Sequence, residues 1–273
     1  MFAQHRSRNM FEAAFTTLSL IYHVTVNNLR KGHRNALMGL VITVLQTVSM
    51  IAGFWLLFAV VGVRNSPIRG DFIVYLMTGI FMFMAHAQAI GAVAASGSPT
   101  NQMMKHGPLN TAIMIAAAAM AVLYRQTFSS VIVLTAYNYL VTPIQLDQPL
   151  WCYAMVLMAW FTGCAIGLIF LSIRPWWPQG TTVLTQFYQR INMVFSGKMF
   201  VANTMSTSLL HAFSWNPLFH IIDQTRGFAF INYSPRNSSL EYPLWCTVGL
   251  LMVGLMAEYV TRRSVSLSTL AGR

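Results

Sequence analysis

Six long apolar stretches separated by short polar segments dominate the hydrophobic pattern of this chain. A helix needs about 17–25 mainly apolar residues to cross the hydrocarbon core of a membrane. Each stretch reaches this length, and the longer ones fit if the helix is tilted. The pattern therefore predicts six transmembrane helices, at residues 36–63, 72–95, 111–140, 150–173, 181–205 and 244–260.

The segment before the first span, residues 10–31, has a different pattern. Apolar residues recur there three or four positions apart at Phe11, Phe15, Leu18 and Tyr22, and Leu29 follows after a longer gap. Polar residues interrupt the run at Thr17, His23, Asn27 and Asn28. This pattern is typical of an amphipathic helix that lies on a membrane surface. A frayed beginning of the first span is the alternative.

Residues 214–230, SWNPLFHIIDQTRGFAF, are a second exception to the apolar pattern. They lie between the fifth and sixth spans but are too short and too polar to cross a membrane alone. Pro217 suits the first turn of a helix, with Asn216 or Ser214 as its cap. The segment is predicted to be a short re-entrant helix at the outer interface, a geometry tolerated only where protein buries the backbone.

Two acidic residues have a partner within reach in the predicted helices. Asp223 and Arg226 are three residues apart, so they share a helix face and can pair. Glu258 lies near the inner end of the last span, where it can pair with a basic neighbour or extend its carboxylate to the membrane surface.

Composition places the chain among the membrane proteins. Hydrophobic residues make up 56% of it and charged residues 8%, whereas soluble domains carry about 25% charged residues. The polar segments are each too short to fold as a separate catalytic domain. The predicted fold is therefore an all-α membrane protein, with residues 1–273 forming a single transmembrane domain.

The net charge of +11 indicates orientation in a membrane rather than nucleic-acid binding, because the basic residues are scattered at the span ends. With the N-terminus inside, the cytoplasmic side receives ten of them: Arg6, Arg8, Arg30, Lys31, Arg34, Lys105, Arg174, Arg262, Arg263 and Arg273. The outer side receives four: Arg64, Arg69, Arg226 and Arg236. This excess predicts that both termini are cytoplasmic.

The predicted fifth span is the richest in polar side chains. Its amides and hydroxyls, together with aromatic rings that can stack on the apolar faces of sugars, suit a glycan conduit. In the alternative, Arg190 extends inward and Lys198 outward, and the helix is an ordinary packed one. Arg125 lies near the middle of the third span, where its guanidinium does not easily reach either surface. The candidate channel residues are Arg125, Phe187, Tyr188, Asn192, Phe195 and Lys198.

Catalytic and metal-binding residues are not predicted. The spans hold a single carboxylate, that of Glu258, which is too few for a proton relay. His86 is predicted to be a hydrogen-bonded core histidine, and the cysteines at 152, 164 and 246 have no metal-ligand spacing. Because a phosphate-binding glycine loop is also missing, any ATPase must be a separate chain.

The order of these parts resembles the type 2 ABC exporter (ABC-2) permeases. Within it, NPLFHIIDQTRGFAF at 216–230, followed by Tyr233, is similar to the NPL-x-H-h-h-E/D-x-x-R signature (h is apolar) of permeases for bacterial capsule and O-antigen polysaccharide export. The likeness in layout covers essentially the whole chain. One departure leaves the branch of the family open: Gly39 stands without the Trp and Pro that often accompany it in these permeases.

The resemblance implies a homodimer that moves a lipid-linked polysaccharide across the bacterial inner membrane. ATP and Mg would be bound by two separate ABC ATPase subunits, with no cofactor in this chain, and periplasmic and outer-membrane export proteins are candidate partners. The interfacial helix and a coupling helix at 96–110 would dock on the ATPases through Phe15, Tyr22, Met103, Met104, Lys105 and His106. Residues 214–230 would form an outer gate shaped by Asn216, Pro217, His220, Asp223 and Arg226.

Three other functions share part of this pattern. An ABC-2 permease for a drug or lipid has the same layout, although the polar and aromatic content of residues 181–205 argues against it. A membrane-embedded glycosyltransferase or acyltransferase needs an acidic or histidine cluster at one face, and the acidic residues are too dispersed: Asp71, Asp147, Asp223 and Glu241. A secondary transporter is expected to show inverted repeats with broken helices, which this pattern lacks.

Overall fold

The computed structural model describes residues 10–30, 36–62, 68–97 and 110–271. Within these ranges the chain is helical and has no strand, which confirms the predicted all-α fold. In chain order the helices are α1 (Met10–Arg30), α2 (Ala36–Val61), α3 (Phe72–Ser96), α4 (Thr111–Leu140), α5 (Pro149–Ile173), α6 (Pro178–Phe195), α7 (Thr207–Ser214), α8 (Pro217–Ala229) and α9 (Glu241–Ala271).

Five of the described helices are long and apolar enough to cross a membrane, namely α2, α3, α4, α5 and α9. The observed limits of the first four agree with the predicted ones to within two residues at each end. Helix α9 begins three residues before the predicted span and continues to Ala271, because the sequence after residue 260 contains neither Gly nor Pro before that point. The protein is therefore a multi-pass membrane protein.

The predicted fifth span is interrupted. Helix α6 ends at Phe195, and residues 196–206 follow as a series of turns that includes a short 3₁₀ segment at Ala202–Thr204. Gly197 has a φ of 70°, a left-handed conformation that an α-helix cannot continue through. Helix α6 is 18 residues long and amphipathic, and it is not among the candidate spans. A continuous helix over 181–205 was a wrong prediction, and the six-span layout is not confirmed.

Helix α3 lies at the centre of the bundle and packs most extensively against α5. Gly163 and Gly167, one turn apart on α5, allow a close approach: a Cβ atom on Gly163 would lie 2.4 Å from the carbonyl oxygen of His86. This is the small-xxx-small arrangement in which membrane helices meet backbone to backbone. His86 is fully buried, with Nδ1 3.1 Å from the carbonyl oxygen of Ala159. The predicted core histidine is therefore confirmed.

Helix α1 packs on the N-terminal half of α4. The contact joins Leu20, Ile21 and Val24 to Ile113, Met114 and Ala117. The apolar residues singled out in the sequence lie elsewhere on α1, because Phe11, Phe15, Leu18 and Tyr22 are all exposed. A helix over these residues is confirmed, whereas its place on a membrane surface stays a prediction.

Candidate functional site

The candidate site is built around α8. Two neighbouring segments complete it: the turn 196–201 after α6 and the loop 230–240 after α8. We refer to α8 and these two segments as the α8 hub. Helix α8 is preceded by α7, so the predicted helix at 214–230 is the second member of a pair of short helices. Its predicted re-entrant position in a membrane remains a prediction.

Asn216 joins the beginning of α8 to the end of α6. Its Oδ1 accepts a hydrogen bond from the backbone N–H of Leu218 at 3.0 Å. Its Nδ2 donates to Oδ1 of Asn192 at 2.7 Å and to the carbonyl of Phe195 at 3.0 Å. Pro217 occupies the first turn, as predicted. Asn216 is therefore both the cap of α8 and a polar link to α6.

Arg226 holds the turn that follows α6. Its side chain is 1% exposed. It donates hydrogen bonds to the carbonyl oxygens of Gly197 at 3.2 Å, Lys198 at 2.6 Å and Phe200 at 2.5 Å. The guanidinium also stacks on Tyr75 of α3, 4.3 Å from the ring centroid. Because a planar guanidinium presents several donors in a fixed fork, one side chain fixes three carbonyls and a ring together.

Asp223 holds the loop after α8. Its carboxylate accepts hydrogen bonds from the hydroxyls of Tyr233 and, at 2.7 Å, of Ser238. Burial, followed by the Asp223 carboxylate, raises the pKa of Tyr233, so the phenol stays protonated and donates. Asp223 and Arg226 do not form an ion pair, although their spacing on α8 would allow one. Each side chain is instead engaged by other groups, the carboxylate by the loop and the guanidinium by the turn.

His220 links α8 to the segments on either side of it. Its Nε2 lies 2.6 Å from the carbonyl oxygen of Ser214, and its Nδ1 accepts the backbone N–H of Ser239 at 3.1 Å. These partners require a neutral ring with the proton on Nε2. Burial lowers the pKa of His220, although the Ser214 carbonyl and the Asp223 carboxylate act in the opposite direction.

Acidification is expected to destabilise the α8 hub through His220. A histidine with a lowered folded-state pKa stabilises the fold fully above its unfolded pKa of about 6.5 and loses that contribution as the pH falls below it. The thermal unfolding midpoint should therefore fall as the pH is lowered through this window, and less so in His220→Gln. The control His211→Gln changes an exposed histidine and should keep the wild-type profile. Identical profiles for His220→Gln and wild type would contradict the assignment.

Lys198 is a buried lysine whose amine lies between aromatic rings. It is 2% exposed, and Nζ lies 3.7 Å from the ring centroid of Phe83 in α3 and 4.6 Å from that of Phe54 in α2. Among the described residues, Nζ has no hydrogen-bond partner. Gly79 of α3 makes room for it, because a Cβ atom there would lie 2.8 Å from Cβ of Lys198. The hub is thus anchored to both α2 and α3.

Sequence reasoning missed the partners of Arg226 and Lys198. Tyr75, Gly79, Phe54 and Phe83 lie on helices far away in the chain, and each reads as an ordinary residue of an apolar span. The only signal was indirect: two cations within a largely apolar region require partners or a route to water.

The candidate channel residues lie in three different environments. Lys198 belongs to the α8 hub. Asn192 and Phe195 lie beside it at the end of α6, where Asn192 accepts a hydrogen bond from Asn216 and Phe195 packs on Phe213 of α7 with ring centroids 5.3 Å apart. Phe187 is 60% exposed, and Tyr188 is partly buried beside Phe170. Arg125 lies apart from these, in a cavity between α1, α3 and α4. Their shared role as a channel lining stays a prediction.

The candidate docking residues are only partly described. Phe15 and Tyr22 lie on the exposed face of α1. Met103, Met104, Lys105 and His106 lie outside the described residues, as does nearly all of the coupling helix predicted at 96–110. Docking on an ATPase stays a prediction.

The C-terminal part of α9 is tied to the beginning of α4. Glu258 accepts a hydrogen bond from Nε of Arg262 at 2.6 Å, so of the two possibilities left open by the sequence the structure shows the pairing with a basic neighbour. Nη1 of Arg262 lies 3.4 Å from Oδ1 of Asn110, the residue that caps α4. The ion pair therefore connects the ends of two candidate spans.

Comparison with known proteins gives one consistent result. No family model matches the chain. Two curated Escherichia coli proteins, both described as polysialic acid transport protein KpsM, are each 24% identical to it over 211 residues. The matched region is 73% of this chain and 76% of the relative in both cases. In layout, signature and sequence, the chain resembles the ABC-2 type permeases of capsule polysaccharide export.

Proposed function

We propose that this chain is the transmembrane subunit of an ATP-driven ABC exporter, which moves a lipid-linked capsular or cell-surface polysaccharide across the bacterial inner membrane. The similarity to KpsM over most of both chains is the observation that carries this proposal. The chain would act as a homodimer with two ABC ATPase subunits that bind ATP and Mg. It would not itself be an enzyme.

The α8 hub has the properties that an outer gate requires. Its segments are joined to each other by Asp223 and Arg226. Asn216 links it to α6, and it is anchored to α3 through Tyr75 and through the contact of Lys198 with Phe83. A displacement of α3 relative to α6 would therefore disturb the ring contacts of Arg226 and Lys198, and through them the hydrogen bonds of the hub, rather than be absorbed by a flexible loop. In this proposal ATP binding favours one arrangement of the dimer, and the hub follows that arrangement as a unit.

The exposed side of α6 is the proposed wall of the substrate route. Val183, Phe187 and Val194 are exposed in a single copy of the chain, and Tyr188 is partly buried beside them. Apolar and aromatic side chains of this kind can contact the apolar faces of sugars without binding any one of them tightly. The burial of Asn192 and Lys198 gives these two residues a supporting role in the proposal instead.

Docking on the ATPase is expected to depend on the exposed aromatic residues of α1. The double variant Phe15→Ala/Tyr22→Ala should reduce co-purification with the partner ABC ATPase, because it removes two exposed rings without touching the contact between α1 and α4. The loss of ATPase in a detergent pull-down should be about tenfold, the equivalent of about 1.4 kcal/mol.

The matched control is Tyr139→Ala, which removes an even more exposed ring from the opposite end of α4. It should retain the ATPase and glycan export at the cell surface. If wild-type protein binds no ABC ATPase at all, the proposed function is wrong. If the ATPase binds but the double variant retains it, only the docking surface is wrong.

A further inference from the structure

A cavity of about 210 Å³ lies between the C-terminal ends of α1 and α3 and the N-terminal half of α4. Small side chains of α3 and α4 leave this space open, including Ala92, Ala95, Ala118 and Ala121. Its polar lining comes from the guanidinium of Arg125, the amide of Asn28 and the hydroxyl of Ser96. All three helices contribute from the ends predicted to face the cytoplasm.

Arg125 lines this cavity from the middle of α4. Side chains of an α-helix lean toward its N-terminus. In agreement with this lean, the cavity that Arg125 lines is bounded by Ala121 and Ala118, one and two turns closer to Thr111, the first residue of α4. This route to the surface differs from the prediction that snorkelling would be difficult for Arg125, because the small residues one and two turns earlier leave room for the stem.

The cavity contains hydrogen-bond donors, one of them positively charged, but no carboxylate that would neutralise the charge. Among the residues that the structure describes, Arg125 has no hydrogen-bond or ion-pair partner, and neither Asp nor Glu lines the cavity. Ser96 donates its hydroxyl to the carbonyl of Val93 at 2.7 Å, so the available donors are those of Arg125 and Asn28. At the neighbouring helix end, Nη1 of Arg174 donates to the carbonyl of Ala94 at 2.8 Å and adds a second positive charge.

We propose that this cavity binds the phosphate group of an anionic lipid from the cytoplasmic leaflet, with Arg125 as the principal ligand. A guanidinium matches phosphate oxygens with two parallel N–H donors, and in a largely apolar setting such a charge-assisted contact is strong. The apolar remainder of the lining suits the adjoining parts of a lipid. Two lipids carry the required chemistry, an ordinary anionic phospholipid and the phosphate-bearing anchor of an exported glycan. The phospholipid would satisfy the site whether or not the protein exports a polysaccharide.

The test measures lipid binding to the full-length protein in detergent, by native mass spectrometry, with phosphatidylglycerol and diacylglycerol as probes. Phosphatidylglycerol should bind, and diacylglycerol, which lacks the phosphate, should bind much more weakly. Arg125→Gln should weaken phosphatidylglycerol binding by about tenfold. The control Arg190→Gln removes an exposed arginine from α6 and should leave the affinity unchanged. Equal binding of the two probes, or unchanged affinity in Arg125→Gln, would overturn the proposal.

A second variant keeps the test decisive if Arg125→Gln does not fold. Arg125→Lys retains the charge but loses the paired donors, so it should bind phosphatidylglycerol a few-fold more weakly than wild type and show a smaller lipid-induced rise in melting temperature. Lipids that co-purify from native membranes identify the source. A phospholipid or a phosphorylated glycan anchor, lost on substitution of Arg125, would support the site. Phosphate-bearing lipids retained equally by wild type and both variants would refute it.

Discussion

Replacing Arg226 by alanine is expected to unfold the α8 hub and abolish export. The substitution leaves the carbonyls of Gly197, Lys198 and Phe200 without their donor and removes the cation stacked on Tyr75. An unsatisfied buried polar group costs about 1–3 kcal/mol. The carbonyls of Gly197 and Lys198 belong to buried residues, so leaving these two unsatisfied costs about 2–6 kcal/mol, a large part of the total stability of about 5–15 kcal/mol that is typical of a folded domain.

Arg226→Lys is the graded variant, and Arg236→Ala is the matched control. A lysine keeps the positive charge but has no planar fork, so it should satisfy fewer carbonyls and give an intermediate melting temperature. Arg236 is exposed in the loop after α8, and its hydrogen bond to Asn203 uses the backbone N–H. Truncating its side chain should therefore change neither the melting temperature nor export. Thermal unfolding in detergent and surface-glycan staining measure the two effects. Wild-type melting of Arg226→Ala would contradict the role given to this side chain.

Substitution at Gly163 is expected to have the second large effect, through the contact between α3 and α5. A Cβ atom at this position would lie 2.4 Å from the carbonyl oxygen of His86 and 3.0 Å from Cβ of Ala89. Because the first of these atoms belongs to the backbone, the two helices must move apart to accept even a methyl group. Overpacking of this kind costs about 1–3 kcal/mol, and Gly163→Val should cost more than Gly163→Ala.

The control for Gly163 is Gly249→Ala on α9, where a Cβ atom would meet nothing within 4 Å. Both glycines lie in candidate spans, so the comparison keeps the change in helix propensity constant and varies only the space available. Gly163→Ala should lower the melting temperature and the yield of monodisperse protein, whereas Gly249→Ala should not. If the two variants have the same melting temperature, close backbone packing between α3 and α5 does not contribute to stability as proposed.

The helices that could be predicted accurately are those with continuous apolar sequence. The limits of α2 to α5 followed from hydrophobicity alone, because a span needs only sufficient length and few charges to be recognised. The prediction was wrong for residues 181–205, where moderate hydrophobicity continues past Phe195 but the chain turns at Gly197. A single glycine is compatible with a helix, so nothing in the local sequence revealed that this one adopts a left-handed conformation.

The polar contacts show the same division. The cap of α8 and the pair between Glu258 and Arg262 were predictable, since their partners lie within one turn of the same helix. Asp223 and Arg226 have equally suitable spacing yet do not pair, because the loop and the turn supply them with other partners. Local spacing predicts which contacts are within reach, and the surrounding segments decide which of them form.

The sequence by itself determined that this chain is an all-helical, multi-pass membrane protein, and its order of helices and its signature determined the resemblance to polysaccharide-export permeases. Hydrophobic length and motif are properties of consecutive residues, so they can be read without a fold. Only the tertiary structure decided that Arg226 holds the turn 196–201 and that Lys198 lies between Phe54 and Phe83. It alone also decided that Arg125 lines a separate cavity. These contacts join residues far apart in the chain, and the packing of whole helices determines which side chains meet.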